Sequence, residues 1–494
     1  MTSLSKTRYV AGLQCPRNLW WQVHEPDAPE LVPDEGLRAV FARGHRVGAI
    51  ARDYVPGGVL IDRPYFDFKG RVADTARAIA DGARAVYEAS FLADGIFVSV
   101  DILERQQKGF VLVEVKSTLD VKEEHLPDVA VQMHVAFAAG LPVKRGELMH
   151  LNRECCYPDL SNLFVREDVT EPAQPHLRAV PGTAASLRAV LAGPLPPAPG
   201  APHCDEPHEC PFTARCHPAL PEHHVSTLYR IQQKKVAQLQ SAGIETLFDL
   251  PPDFKGPGPT LRQIRSVRAG EVVVEPGLEK DLGRLEPPIA YLDFETISPA
   301  VPAWPGCHPY GVVPVQFSCH IPGANGLEHH AWLAEGPGDP REAFARAVIA
   351  ACKAAKTIVA YNAPFEKARI ESLAKALPHL EADLTVLADR IVDLLPIVRD
   401  NVYHPDFGGS FSLKSVLPAL VPGLGYDDLE IQDGNVAAAT LEALLLDEDA
   451  FDLAERQKVR DDLLHYCERD TLAMVRLHEK LCELSANCEG RRGG

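Results

Sequence analysis

Nowhere in its 494 residues does the sequence hold an apolar run approaching the ~18–20 residues that span a bilayer. Its opening stretch, MTSLSKTRYVAGLQCPR, lacks the apolar core and small-residue cleavage site of a secretory signal. A cytoplasmic protein without membrane contact is therefore expected. Positive charge is also in short supply: 50 Lys and Arg stand against 68 Asp and Glu, a net charge of −18. Phosphate binding by overall charge is ruled out, although net charge says nothing about local patches. No internal repeat is present, which sets aside solenoids and arrays. What remains is a chain 46% hydrophobic and 24% charged, an ordinary globular composition. It exceeds what one hydrophobic core usually serves, so two or three domains are expected.

Punctuation divides the chain at residues 1–221, 222–286 and 287–494. The first part ends in the Pro-rich loop GPLPPAPGAPH and a cysteine cluster, and the third opens after Pro287–Pro288. Between them, VAQLQSAGIETLFDLP reads as a helix stopping at Gly243 and a second starting after Glu245. The stretch 226–270 carries seven basic residues against three acidic ones. Lys234, Lys235, Arg262, Arg265 and Arg268 in it are candidate phosphate contacts; a solvated linker helix is the competing reading.

In the third part, strands alternate with helices, which suggests a mixed sheet flanked by helices. IAYLDFETI puts Asp293 and Glu295 two apart on a strand, on one face. Two carboxylates on the face of an apolar strand are costly unless a cation or partner neutralises them. TIVAYNAPFEKARI is an apolar strand running into Asn362 and then Glu366 at a helix start, and DDLLHYCERDTLAMVRL is an amphipathic helix with Tyr466 and Asp470 on one face. Two-metal nucleases hold their ions ~3.5–4 Å apart with carboxylate oxygens, and four acids from three segments meet that need.

DFET, NAPFE and YCERD, in that order over about 200 residues, resemble the three motifs of the DEDD exonuclease superfamily. The resemblance implies an RNase H-like fold in which Asp293, Glu295 and Asp470 hold Mg2+ or Mn2+. Glu366 fills the second-motif position, usually Asp. It makes Tyr466 the residue that orients the attacking water, with His465 as the alternative, and Asp393 a supporting acid. Lys414, in FGGSFSLKSVL, is a candidate for substrate phosphate.

In the first part, FVSVDILE and FVLVEVKS read as a hairpin turning at QQKG, followed by a helix from about Pro127 to Gly140. Adjacent strands can bring Asp101 beside Glu114 and Lys116. Two acids binding a divalent ion and a lysine acting on water form a legible hydrolytic set; a cross-strand ion pair on an exposed hairpin is the bland alternative. With Gln132 on the following helix and His45 upstream, the pattern is similar to RecB-type PD-(D/E)XK nucleases, although Ala136 stands where that family has Tyr. Cys15 before this core and Cys204, Cys210 and Cys216 after it resemble the iron–sulfur members of that group. Four thiolates suit a [4Fe–4S] cluster or zinc, and His203, His208 and His217 keep zinc open. The whole arrangement resembles a bacterial family known as a domain of unknown function. The segment around Gly243 looks like a helix-hairpin-helix, a packing linker being the other reading.

The sequence thus points to an α/β protein: a restriction-endonuclease-like domain with a cysteine cluster, a small helical middle segment and an RNase H-like domain. The expected function is a metal-dependent nuclease, foremost a 3′–5′ exodeoxyribonuclease with a second RecB-like site. RNA processing, or a nucleic-acid scaffold with inactive sites, are the alternatives. Protein purified without oxygen should be coloured and carry iron, and Cys15→Ser should lose both. A colourless, zinc-loaded protein would overturn the iron–sulfur expectation.

Overall fold

The computed structural model describes residues 4–198, 204–217, 219–323 and 326–490. His203 and part of the Pro-rich loop lie outside them. The chain divides into two compact units, Met1–Ala219 with Ala300–Tyr310, and Leu220–Pro299 with Gly311–Gly494. None of its described helices is long and apolar enough to cross a membrane.

The first unit is built on strands β1 (Leu4–Ser5), β2 (Gly58–Leu60), β3 (Ala85–Ala93), β4 (Ile96–Gln106), β5 (Gly109–Lys116), β6 (Val143–Leu151) and β7 (Phe164–Asp168). Their order is β2-β3-β4-β5-β6-β7, with β1 joined to β4. Strands β4 and β5 are the expected hairpin, antiparallel with Ile102 opposite Val113. Strand β6 lies parallel to β5, and a parallel neighbour requires a crossover. The helix Leu126–Ala138 supplies it. Its Val129, Val131, Met133 and Val135 are buried with Val180, Ala184 and Leu187 of the helix Thr170–Ala192 in the main core. A smaller cluster joins Ala51, near the end of the helix Glu35–Asp53, to Tyr87, Ile102, Val111 and Met149. The segment Ala300–Tyr310 belongs here through Tyr157 N–H to Cys307 O, 3.0 Å, and a Tyr310 hydroxyl bond to Ser117 O.

The second unit holds β8 (Val273–Val274), β9 (Ile289–Ile297), β10 (Val313–Gly323), β11 (Gly326–Leu333), β12 (Thr357–Ala360), β13 (Ile391–Asp393) and β14 (Val402–Tyr403). Five of them form a mixed sheet, β11-β10-β9-β12-β13, while β14 and β8 pair apart from it. The first three run antiparallel, and β12 and β13 run parallel to β9. The two-residue alternation of β9 decides what each face does. Ala290, Leu292 and Phe294 enter a core with Phe317, Phe344, Val348 and Ile370. Tyr291 turns the other way, into a cluster with Met474, Leu477 and Leu481 of the helix Leu453–Gly490. Asp293 and Glu295 share that second face.

Two expectations for the middle segment need correction. It is no separate linker: Val225, Leu228, Val236, Leu239, Ile264 and Val267 enter the same core as Tyr291 and Leu394. Gly243 does end a helix, Gln233–Ser241, at φ 75°, but Glu245–Leu250 forms turns rather than a second helix. The Asp249 carboxylate takes the Thr246 N–H at 2.8 Å and the Glu245 N–H at 3.3 Å, closing a turn that competes with helix. Pro251 and Pro252 follow at once, and proline bars helical continuation.

The basic residues of this segment divide accordingly. Lys234 and Lys235 are exposed. Arg262 is 5% exposed and donates to Arg399 O at 2.6 Å, Asp400 O at 2.5 Å and Glu275 at 3.1 Å. Arg265 pairs with the same Glu275, and Arg268 reaches Leu247 O and Leu250 O. Arg262 and Arg268 therefore hold the fold together instead of offering charge to a phosphate. Arg262→Ala should lower stability by about 2–3 kcal/mol in urea unfolding, since it strands two carbonyls and a carboxylate. An Arg262→Ala protein as stable as wild type would instead free Arg262 as a candidate phosphate contact.

Candidate metal centres and the cysteine cluster

Three elements build the carboxylate site of the second unit. Strand β9 presents Asp293 and Glu295, and the strand pairing slips between Pro314 and Gln316, beside Glu295. Such bulges re-aim side chains and recur near functional sites. After β12, Asn362 takes φ 74°, a left-handed conformation that Asn tolerates better than most residues. Asp393 accepts the Asn362 N–H at 2.9 Å and the Leu395 N–H at 3.0 Å, fixing the turn. The helix Pro364–Ala376 starts there and carries Glu366 in its first turn. The third element is the helix Leu453–Gly490, whose four-residue spacing aligns Tyr466 with Asp470.

Asp293, Glu295, Glu366, Tyr466 and Asp470 all line one cavity of about 530 Å3. His465 is exposed, whereas Tyr466 is 4% exposed. The electrostatics are those of acids crowded without enough counter-charge. Burial, then the charges of Asp470, Glu295 and Glu366, push Asp293 well above the usual carboxylate range. Glu295 is raised by burial and Asp470, with Lys414 opposing. Burial raises Glu366 to about 8 and Asp470 to about 6. Glu366 Oε2 is buried with no hydrogen-bond partner among the described residues. An orphaned carboxylate oxygen within an all-oxygen donor set is what a hard divalent cation would satisfy. Cys467 approaches Asp293 Oδ2 at 3.8 Å, but burial and the neighbouring acids push its thiol well up, so the sulfur stays protonated. The residues present fit Mg2+ or Mn2+.

Two more residues complete this site, and of these Tyr426 had not stood out in the sequence. Tyr426 donates to Asp470 Oδ1 from a segment with no regular structure. Lys414, expected only near phosphate, lies 5.3 Å from the ring centres of both Tyr426 and Tyr466. Its ammonium donates to Gln432 O at 2.5 Å.

In the first unit, Asp101, Glu114, Lys116 and Gln132 also come together. Asp101 Oδ2 accepts the Val115 N–H at 2.7 Å. Gln132 donates to Glu114 Oε2 at 2.6 Å, and Lys116 lies 3.0 Å from Glu114 Oε1 and bonds Asp128. The hairpin register alone offers no hint of a further member, Lys6, whose ammonium sits 2.8 Å from Glu114 Oε1. Burial opposes ionisation of Glu114, but Lys6 and Lys116 outweigh it and hold that carboxyl far below its ordinary range. Asp101 is pushed up to about 7 by burial and by Glu114. The charge here is largely compensated by two ammonium groups, so the need for a divalent ion is weaker than in the second unit. His45 is exposed on the helix Glu35–Asp53 and hydrogen-bonds none of these residues among those described.

The four cysteines, 189 residues apart at their first gap in sequence, gather in the same unit. Cys15, at the junction of the helices Lys6–Gln14 and Pro16–His24, is 5% exposed; Cys204 and Cys210 are 6% and 5% exposed. Cys216 packs against the apolar cluster of Trp21, Phe212, Cys204 and Cys210. Burial raises Cys210, and the charges of Cys15, Cys204 and Cys216 add to it, so the four thiols sense one another. All four are free rather than disulfide-bonded. His217 Nε2 lies 3.3 Å from Cys204 Sγ, and His208 is exposed. Cys204, Cys210 and Cys216 share one apolar cluster and Cys15 lies near enough to act on Cys210, a set of thiols of the kind that binds an iron–sulfur cluster or zinc.

Residues 290–412 match a family model described as "Domain of unknown function (DUF2779)". A solved structure described as "Crystal structure of SSO0001" is 14% identical over 44% of this chain and 86% of its own, with a TM-score of 0.25. No curated protein matches.

The raised acids set a pH dependence. Folded Asp470 and Glu366 keep protons up to about 6 and about 8 that the unfolded chain releases near 4. Their contribution to stability is complete below pH ~4 and is lost as pH climbs through 8. In a chelator the melting temperature should fall from pH 5 to pH 8, and Mn2+ should raise it more at pH 8 than at pH 5. Asp293→Asn should flatten the slope; thermal melts with the same slope in both proteins would speak against the cluster as its source.

Proposed function

We propose that the chain is a metal-dependent nuclease whose second unit hydrolyses DNA from the 3′ end. The observation that carries this reading is the convergence of Asp293, Glu295, Glu366, Asp470 and Tyr466 on one cavity from three separate segments. The mixed sheet with both acids on its central strand supports the RNase H-like assignment, and the 3′–5′ polarity rests on the motif resemblance. Mg2+ or Mn2+, when bound, supplies activated water and offsets charge on the scissile phosphate. Asp293, Glu295 and Asp470 hold it, and Glu366 supplies a further carboxylate.

Tyr466 does not act as a base. Burial, then Asp470 and Glu295, push its hydroxyl far above its ordinary range, so it stays protonated at neutral pH. A protonated phenol in the cavity wall donates a hydrogen bond and thereby orients water or a phosphate oxygen. The Tyr426 hydroxyl bond to Asp470 fixes that carboxylate, the role of an outer partner to a metal ligand. The Lys414 ammonium beside both rings supplies positive charge for phosphate in a chain that is acidic as a whole.

In the first unit we assign Asp101, Glu114, Lys116 and Gln132 to a second, RecB-like site. Lys6, its ammonium 2.8 Å from Glu114 Oε1, adds positive charge to that set. The four cysteines bind a structural iron–sulfur cluster, with zinc as the alternative. His45 has no part in this assignment.

The test is a time course on single-stranded DNA and matched RNA oligonucleotides, labelled at either end, with full-length protein in Mn2+. Shortening from the 3′ end of DNA is expected. Asp293→Asn should reduce it about 1000-fold or more, and Tyr466→Phe about 100-fold. If Asp293→Asn cleaves undiminished while Asp101→Asn does not, the activity belongs to the first unit and the assignment fails.

A further inference from the structure

A second group of metal-ligating side chains lies in the second unit and lines no part of the carboxylate cavity. Strands β10 and β11 pair His320 directly with His329, and their rings stack with centroids 4.5 Å apart. Glu468 comes from the helix Leu453–Gly490. One ligand atom from each of His320, His329 and Glu468 falls within 4.8 Å of the others. Glu468 stands two residues before Asp470, and helix positions two apart do not share a face. The triad is thus separate from the acids of the nuclease site.

Each ring is already oriented as a ligand would be. His320 Nδ1 is 2.8 Å from Thr471 Oγ1, and His329 Nε2 is 2.9 Å from Ser318 Oγ. The two hydroxyls are themselves 2.7 Å apart. Each imidazole therefore spends one nitrogen on a hydroxyl and keeps the other, the arrangement that outer partners impose on metal-bound histidine. His329 Nδ1 then faces Glu468 Oε1 at 3.7 Å, too far for a hydrogen bond. His320 is 4% exposed, but the His329 and Glu468 side chains are 27% and 39% exposed, so the gap is open to solvent.

We propose that His320, His329 and Glu468 form a binding site for a divalent transition ion of the zinc type. Two imidazoles and one carboxylate select such an ion over Mg2+, and three protein ligands leave an open position. Metal binding needs neutral imidazole. His329 Nδ1 and Glu468 Oε1 stand 3.7 Å apart without a hydrogen bond, and an ion between them supplies the missing interaction. Bound there, it clips the β10–β11 hairpin to the helix that carries Asp470.

The proposal does not depend on nuclease activity and is read out by binding. Full-length protein stripped with chelator is titrated with Zn2+, with metal content measured by mass spectrometry in excess Mg2+. Wild type should retain one equivalent more than His329→Ala or Glu468→Gln, while Cys15→Ser keeps that equivalent. Ser318→Ala, which frees the His329 ring, should weaken the same site about 10–100-fold. Co2+ at this site should show no sulfur charge-transfer band, unlike Co2+ held by the cysteines. Equal zinc content in wild type and Glu468→Gln, a change that preserves shape on a partly exposed residue, would overturn the site even if His329→Ala misfolds. Full displacement of this equivalent by Mg2+ would overturn it as well.

Discussion

The second unit is organised around a repulsion. Asp293, Glu295, Glu366 and Asp470 surround one cavity, and among the described residues Lys414 is the ammonium whose charge opposes theirs. Desolvating an acid costs several kcal/mol unless it is paired or protonated. Here burial raises all four, the other acids push Asp293 and Glu295 up further, and one oxygen of Glu366 has no hydrogen-bond partner among the described residues. A fold keeps such an arrangement only on a rigid scaffold, with protons or a counter-charge to relieve it. The scaffold is a central strand packed on one face by Phe317, Phe344 and Val348, and on the other by the helix bearing Tyr466 and Asp470.

The first unit handles similar chemistry differently. Its acids, Asp101 and Glu114, meet the ammonium groups of Lys6 and Lys116, and Glu114 is held ionised. In the second unit the acids crowd with little opposing charge; in the first, side chains already supply most of it. In the His320–His329–Glu468 group, hydroxyls rather than opposite charges fix the two rings. Three constellations of ligating residues therefore differ in how much of the compensating charge the protein itself provides.

Much of the local structure was legible. The hairpin of β4 and β5, the helix Leu126–Ala138, and the shared face of Asp293 and Glu295 follow from alternation and helical spacing. The basic stretch of the middle segment was not legible. Charge along a sequence does not reveal that Arg262 turns inward to the carbonyls of Arg399 and Asp400. Nor does a plausible helix start after Glu245 show that Asp249 will close a turn there.

Spacing of two on a strand and four on a helix placed each pair of acids or hydroxyls on a face, because backbone geometry alone sets that relation. Tertiary structure decided what each face confronts. Lys6 reaches Glu114 across 108 residues, Tyr426 reaches Asp470 across 44, and His320 meets His329 through strand register. Charge compensation depends on distance in space, and that distance exists only after the chain has folded.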